Sequence, residues 1–324
     1  MNKYYPLHVH TAGGSVGDSV LTIPEYIARA KEYGLDALAI TDHGSLNAMY
    51  EFYDACKKAE IKPIIGMEAY VTDDNTVKDA EHKAGSSFHL VLLAKNEEGL
   101  RNLVSIHNNA AIDGFYYKPR TDWEHLQKWG KGIIALSACV AGEIPQAILE
   151  NDADKALNLI DFYKGVFDEF YLELQPGSFE EQKTVNEALI ELAAETDTPL
   201  VITNDIHYLD KEDAVRHDYH VKLGRKSKKL DEQMIYPDSC YWFMNIEAIK
   251  ENMSMDEYIV EEAINNAAHI AEVCNVEVDD SLHMPQCVDL PEGVTEEEAL
   301  YEICHERLEE LIRIKIMLRF ILTA

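Results

Sequence analysis

Along the first two-thirds of the chain, short apolar runs alternate with stretches whose apolar positions recur every three to four residues, the periodicities of strand and helix respectively. The runs are Tyr5 to Val9, Ala37 to Thr41, Ile64 to Val71, Leu90 to Ala94, Ile133 to Ser137, Phe170 to Leu174 and Leu200 to Thr203, which predicts seven strands. The periodic stretches predict helices. One is opened by Thr22, Pro24 and Glu25 and closed by Gly34; the others are Leu46 to Ala59, Glu97 to Asn109, Ala153 to Tyr163 and Phe179 to Glu195. Thr72 to Ser87 is polar and reads as an inserted loop. Such alternation implies parallel strands joined by right-handed crossovers, and hence an α/β barrel, closed or nearly closed. After about residue 210 the pattern turns helical, with Asp256 to Cys274 and Glu296 to Glu310, the latter announced by the Thr295 to Glu298 capping box. The last fourteen residues, Leu311 to Ala324, carry Arg313, Lys315 and Arg319 among apolar residues, too short and charged to span a bilayer and expected to pack or bind.

Composition narrows the function. Lys and Arg number 29 against 59 Asp and Glu, a net charge of −30, which repels polyanions over most of the surface. A generic nucleic-acid coat is excluded; a local phosphate site is not. No long uncharged apolar run suggests membrane insertion. The six cysteines form no C-x-x-C pair and no leader precedes them, so reduced thiols and a cytoplasmic location are expected.

Metal-competent side chains fall at or just beyond the predicted strand ends. His8 and His10 lie two apart, on one side of a strand. His43 follows in T-D-H-G, Glu68 in G-M-E, Cys139 in L-S-A-C, and Asp205 and His207 in T-N-D-I-H. Each has a bland alternative: Asp42 or Asp205 as a helix cap, Cys139 as a small buried hydrophobe, Glu68 as a solvated strand end. Those alternatives do not explain why five separated segments deliver N, O or S donors to one rim, the rim where β/α barrels place chemistry. His89 fits less well, because it precedes its apolar run. Asp42 is open between supporting His43 and capping the helix that begins near Leu46. Lys95, Lys118 and Arg120 are candidate phosphate-orienting cations, each weighed against a simple solvated charge. The basic run Lys222, Arg225, Lys226, Lys228 and Lys229 reads either as a DNA-backbone contact or as a solvated loop.

Taken together, H-V-H, T-D-H-G, G-M-E, H-L-V-L-L-A-K-N, L-S-A-C and T-N-D-I-H-Y resemble the polymerase and histidinol phosphatase (PHP) domain, most closely the kind that heads the alpha subunits of bacterial DNA polymerase III. The resemblance covers about residues 1 to 310 and includes G-F-Y-Y-K-P-R at Gly114 to Arg120. It implies a distorted seven-stranded TIM-like barrel with a helical extension, and three divalent ions. His8, His10, Glu68 and Asp205 would hold one; Glu68, His89 and Cys139 a second; Asp18, His43 and His207 the third. Asp18 lies in the divergent loop Thr11 to Ser19, where Ser15 or Ser19 could face the site instead. The resemblance assigns residues 1–275 to the phosphoesterase barrel and 276–324 to a helical extension, the start of a truncated polymerase region.

A nitrogen, oxygen and thiolate donor set suits zinc first, and manganese or iron next, better than magnesium. The implied chemistry is phosphoester hydrolysis by water, with Glu68, Asp205 and His207 as its central groups, and 3′-to-5′ exonuclease action on a DNA 3′ end. Two alternatives stand beside it. One is a small-phosphate monoesterase of the histidinol phosphatase type, favoured by the acidic surface. The other is a silent structural module of a replicative polymerase, with a polymerase core or other replisome subunits as partners. No aspartate cluster of a polymerase palm follows the barrel, so no polymerase site is expected in this chain.

Overall fold

The computed structural model describes residues 3–79, 87–225, 235–236, 238–279, 281 and 289–322. Lys226, Lys228 and Lys229 of the basic run, and residues 80–86 of the expected polar loop, lie outside the described residues. The chain divides into two compact units, Met1–Val278 and Asp279–Ala324.

The larger unit is α/β, built on a mixed seven-stranded curled sheet. Its strands are β1 (Ala37–Ile40), β2 (Lys62–Thr72), β3 (Phe88–Ala94), β4 (Arg120–Asp122), β5 (Ile133–Leu136), β6 (Glu169–Leu174) and β7 (Leu200–Ile202). The sheet runs β1-β2-β3-β5-β6-β7, with β4 on the far end of β2. The expectation of uniformly parallel pairing is corrected here: β3 is antiparallel to both β2 and β5. The physical reason is that β2 reaches β3 through the polar stretch after Thr72, in which no crossover helix to reverse the chain occurs among the described residues.

The predicted strand Tyr5 to Val9 is also corrected. It forms only a single bridge, Val9 to Ile206. It is a joining segment: Thr41 N donates to Val9 O (2.9 Å), while His10 N donates to Ile206 O (2.8 Å) and Ile206 N to His8 O (3.1 Å). These bonds link the chain just beyond β1 to the chain just beyond β7. The seventh strand is instead β4, too short to register as an apolar run.

Strand parity then divides the barrel interior into two layers. Ala37, Ala39, Ile64, Val91, Leu93, Ile134, Leu136, Tyr171 and Val201 form an apolar cluster with Ala267, Ile270, Ala271 and Cys274, most of which lie on helix Glu257–Val273 and close that end. Continuing two residues at a time along the same faces leads from Ile64 to Glu68, from Val91 back to His89, and from Tyr171 to Glu173. The polar layer thus sits directly above the apolar one. A second, larger cluster packs the outer sheet faces against the surrounding helices, anchored by Phe52, Leu103, Ile160 and Leu189.

In the smaller unit, Thr295 and Glu298 form the expected capping box, with Thr295 N donating to Glu298 Oε2 (2.9 Å) and Glu298 N to Thr295 Oγ1 (3.2 Å). The helix it opens runs to Leu322, past the expected end at Glu310, because no glycine or proline interrupts it. Among the described residues, no helix is long and apolar enough to cross a membrane.

Candidate metal centre

The nine implied ligands meet in the polar layer. Glu68, fully buried on β2, is the hub: His8 Nε2 lies 3.2 Å from its Oε1, His89 Nδ1 2.7 Å from the same oxygen, and His43 Nδ1 2.5 Å from Oε2. Asp205 Oδ1 stands 3.1 Å from His10 Nε2, 3.4 Å from His8 Nε2 and 3.5 Å from His207 Nδ1. Asp18 Oδ2 contacts His43 Nε2 at 2.8 Å and lies 3.8 Å from His207 Nε2. Cys139 Sγ lies 3.6 Å from His89 Nδ1 and 3.9 Å from Glu68 Oε1. The position of His89 follows from the reversed direction of β3, which brings the start of that strand to the rim. Asp205 (φ 49°) and Ala138 (φ 64°), beside Cys139, adopt left-handed backbone, a strain typically retained where a side chain must be re-aimed into a site.

The fit to a cation rests on which atoms lack hydrogen bonds. Among the described residues, His8 Nε2, His10 Nε2, His43 Nδ1, Glu68 Oε2 and Asp205 Oδ1 are buried without a hydrogen-bond partner, although they crowd one another at angles unsuited to hydrogen bonding. Buried polar atoms are rarely left so. The outward nitrogens, in contrast, are satisfied. His8 Nδ1 lies 2.7 Å from Glu173 Oε1, His10 Nδ1 3.1 Å from Ser15 Oγ, and His207 Nδ1 2.8 Å from the Asp205 carbonyl. With each Nδ1–H donating outward, each Nε2 lone pair faces the cluster, the tautomer a cation requires. Among the described residues, three donor groups have ligand atoms within 4.8 Å of one another: His10, His43 and His207; His8, His10 and Glu68; His43, Glu68 and His89.

Electrostatics agree. Burial opposes charge on His43, but Glu68 and Asp18 outweigh it and raise its pKa to about 10. Burial, reinforced by His43 and His207, lowers that of His10 to about 3, leaving a neutral imidazole. Burial and the nearby Glu68 and Asp205 raise the Cys139 thiol well above its usual range, so a cation must displace its proton to be bound as thiolate. The pocket attracts positive charge strongly enough to hold protons on histidines that water would leave neutral.

Several groups support the layer. Asp42 does not cap a helix: it accepts from Thr11 N (2.6 Å), Thr11 Oγ1 (2.9 Å) and Ser15 Oγ (2.8 Å), tying down the loop that carries Asp18. Gly14 is required there, since a Cβ would sit 2.1 Å from Asp42 Oδ2. Ser15 and Ser19 serve the same loop, Ser19 Oγ donating to the carbonyls of His10 and His207.

Three residues escaped the sequence reading. Glu173 had no motif around it. Tyr236 donates to Asp18 Oδ1 (3.0 Å) and lies 3.1 Å from His207 Nε2. His217 donates from Nε2 to the Asp18 carbonyl (2.6 Å), its signal lost because helix Ala214–Gly224 meets the site only through tertiary packing.

Burial, with help from His207, lowers the pKa of His217 to about 4. In the metal-free chain the unfolded state therefore takes up a proton near pH 6.5 that the folded state refuses until about pH 4. Stability contributed by the neutral ring is present above pH 6.5 and declines as pH falls toward 4. Between pH 7 and 4, wild type should lose about 3 kcal/mol more than His217→Gln, by the linkage of roughly 1.4 kcal/mol per pKa unit. Parallel pH profiles of the two chains in denaturant melts would contradict this.

Two candidate cations are corrected. Lys95 follows the opposite end of β3, beside Asn275, and its Nζ pairs with Glu169 at 2.7 Å. Arg120 is buried, bonding the carbonyls of Val77 (2.8 Å) and Gly114 (3.3 Å). Lys222 is likewise buried and paired with Asp218 at 2.7 Å, so it is no exposed DNA contact. Lys118 and Arg225 instead line the cleft of about 330 Å³ that opens over the cluster.

The PHP domain profile matches residues 6–177. The chain is 39% identical over 278 residues to the DNA polymerase III subunit alpha of Borreliella burgdorferi, covering 85% of this chain and 24% of that one. It is 35% identical over 323 residues to the same subunit of Aquifex aeolicus, covering 94% and 27%. The chain thus spans about a quarter of the length of these relatives. An amidohydrolase structure from Chromobacterium violaceum aligns at 15% identity with a TM-score of 0.41, covering 63% of this chain and 87% of that one. With every clustered side chain except Asp205 and His207 inside the profile match, this chain belongs to the PHP domain family.

Proposed function

We propose that this chain is a metal-dependent phosphoesterase in which His8, His10, Asp18, His43, Glu68, His89, Cys139, Asp205 and His207 hold three divalent cations, and that it trims the 3′ end of DNA in the 3′-to-5′ direction. The observation that carries the reading is the set of buried donor atoms without hydrogen bonds that converge around Glu68. Cations held there supply Lewis acidity, polarising phosphoryl oxygens and making water nucleophilic at neutral pH. The chain's own groups set the geometry. Glu173, Ser15 and the Asp205 carbonyl fix the imidazole tautomers, Tyr236 aligns Asp18 with His207, and Asp42 holds the Asp18 loop. The imidazole, carboxylate and thiol set favours zinc, then manganese or iron. A thiol ligand also favours a reducing, cytoplasmic setting.

Similarity to polymerase III alpha subunits supports DNA as substrate and a polymerase core or other replisome subunits as partners. In this reading residues 1–275 are the catalytic barrel and 276–324 the start of the polymerase-proximal region. The test is incubation of the chain, loaded with zinc, manganese or iron, with end-labelled single-stranded DNA. Progressive shortening from the 3′ end is expected, and loss of label without shortening, or no reaction with any metal, rejects it. The net charge of −30 gives the small-phosphate alternative its one specific support. Faster turnover of histidinol phosphate than of DNA would decide for it.

A further inference from the structure

Lys118 is half-buried on the wall of the cleft, in a chain with a large acidic excess. Tyr117 before it adopts left-handed backbone (φ 62°), and Tyr116 N donates to Lys118 O (3.1 Å), closing a tight turn. The turn leaves the Tyr117 ring exposed while it directs Lys118 inward, with Nζ 4.1 Å from the centre of the Tyr70 ring. Tyr70 in turn packs against the rings of His89 and His43, at 5.2 and 6.0 Å. Burial lowers the Lys118 pKa, and Glu68 and Asp18 act on it only through space, with no salt bridge to it among the described residues. A partly desolvated ammonium ordinarily has a carboxylate partner. Here strained backbone holds one beside the cluster without one, and Arg225 adds a second, exposed positive charge to the same cleft.

We propose that Lys118 is a phosphate-binding residue, its ammonium gripping a non-bridging oxygen of a phosphate ester and holding the phosphorus against the Glu68 and Asp205 cluster. This rests on the phosphoesterase reading and adds the group that positions its substrate. Arg225 contributes to attraction and not to the close contact, being open to solvent.

The probe is inorganic phosphate, titrated calorimetrically into the zinc-loaded chain. Lys118→Met keeps the apolar stem and removes the charge. Its dissociation constant should rise by roughly tenfold to a hundredfold, the range of a hydrogen bond between charged groups. Its Tm should be unchanged or higher, and Lys118→Arg should recover part of the affinity. Unchanged phosphate affinity in Lys118→Met, or a lowered Tm with no recovery in Lys118→Arg, overturns the proposal. In wild type, saturating phosphate should slow labelling of Lys118 by an amine-reactive reagent by about tenfold or more, read by peptide mass spectrometry, the protection such a contact gives; equal labelling overturns it without any variant. Lys118-dependent phosphate binding in a chain that hydrolyses nothing would uphold this inference and reject the phosphoesterase reading. Hydrolysis with a wild-type KM in Lys118→Met would do the reverse.

Discussion

Glu68→Ala is expected to abolish phosphoester hydrolysis, lowering turnover by roughly a thousandfold or more, because several kcal/mol of cation-derived charge stabilisation depend on it. The size follows from position. Its two oxygens are shared among His8, His43 and His89, and among the described residues no other carboxylate contacts all three. Loss of this one side chain should therefore lower the bound metal by more than one equivalent, whereas Asp18→Ala should lower it by one. The metal-free state reports independently. His8 and His43 are both raised in pKa, and Glu68 is a shared cause. Stability from those raised histidines is complete below pH 6.5 and is lost as pH rises through about 10, the folded value for His43. Glu68→Ala should shrink that alkaline-side loss. Metal content by plasma mass spectrometry, with a pH series of melts on chelated protein, checks both; an unchanged metal count would remove Glu68 from the hub.

Glu173→Ala should give the largest loss of stability outside the ligand set. Both Glu173 oxygens accept: His8 Nδ1 (2.7 Å), Gln175 Nε2 (2.7 Å) and Thr203 Oγ1 donate to Oε1, and Ala138 N (3.1 Å) to Oε2. All four partners are buried donors, so the alanine variant strands them together, at a cost of about 3–5 kcal/mol. Glu173→Gln keeps the volume and one acceptor oxygen. It should melt nearer to wild type yet bind metal about tenfold to a hundredfold more weakly, since His8 is no longer held as the Nδ1–H tautomer. A glutamine variant with wild-type metal affinity would limit Glu173 to packing.

The sequence and the structure agree where local rules are sufficient. The capping boxes at Thr22 and Thr295, the helices from Glu97 and Ala153, and six of the seven strands were legible because periodicity and end signals suffice for them. Strand direction was not, because a long polar connection carries no sign of whether the chain reverses. One clue was present: no helical stretch lay between Val71 and Leu90, and His89 stood on the wrong side of its run. Antiparallel pairing of β3 accounts for both. The side chains that cluster around Glu68 were legible through spacing and resemblance, whereas Glu173, Tyr236 and His217 act through contacts between segments far apart in the chain. Arg120 and Lys95 looked like free cations because sequence does not tell an exposed charge from one satisfied by carbonyls or by Glu169.

The central claim is that nitrogen, oxygen and sulfur donors from separate strands of the barrel share bound cations. Anomalous diffraction from crystals of the zinc-loaded chain, collected on both sides of the zinc absorption edge, addresses it most directly. The account predicts more than one peak within bonding distance of Glu68, with His8, His43, His89 and Cys139 around them. A map without peaks there, or with zinc only at surface carboxylates, would contradict it.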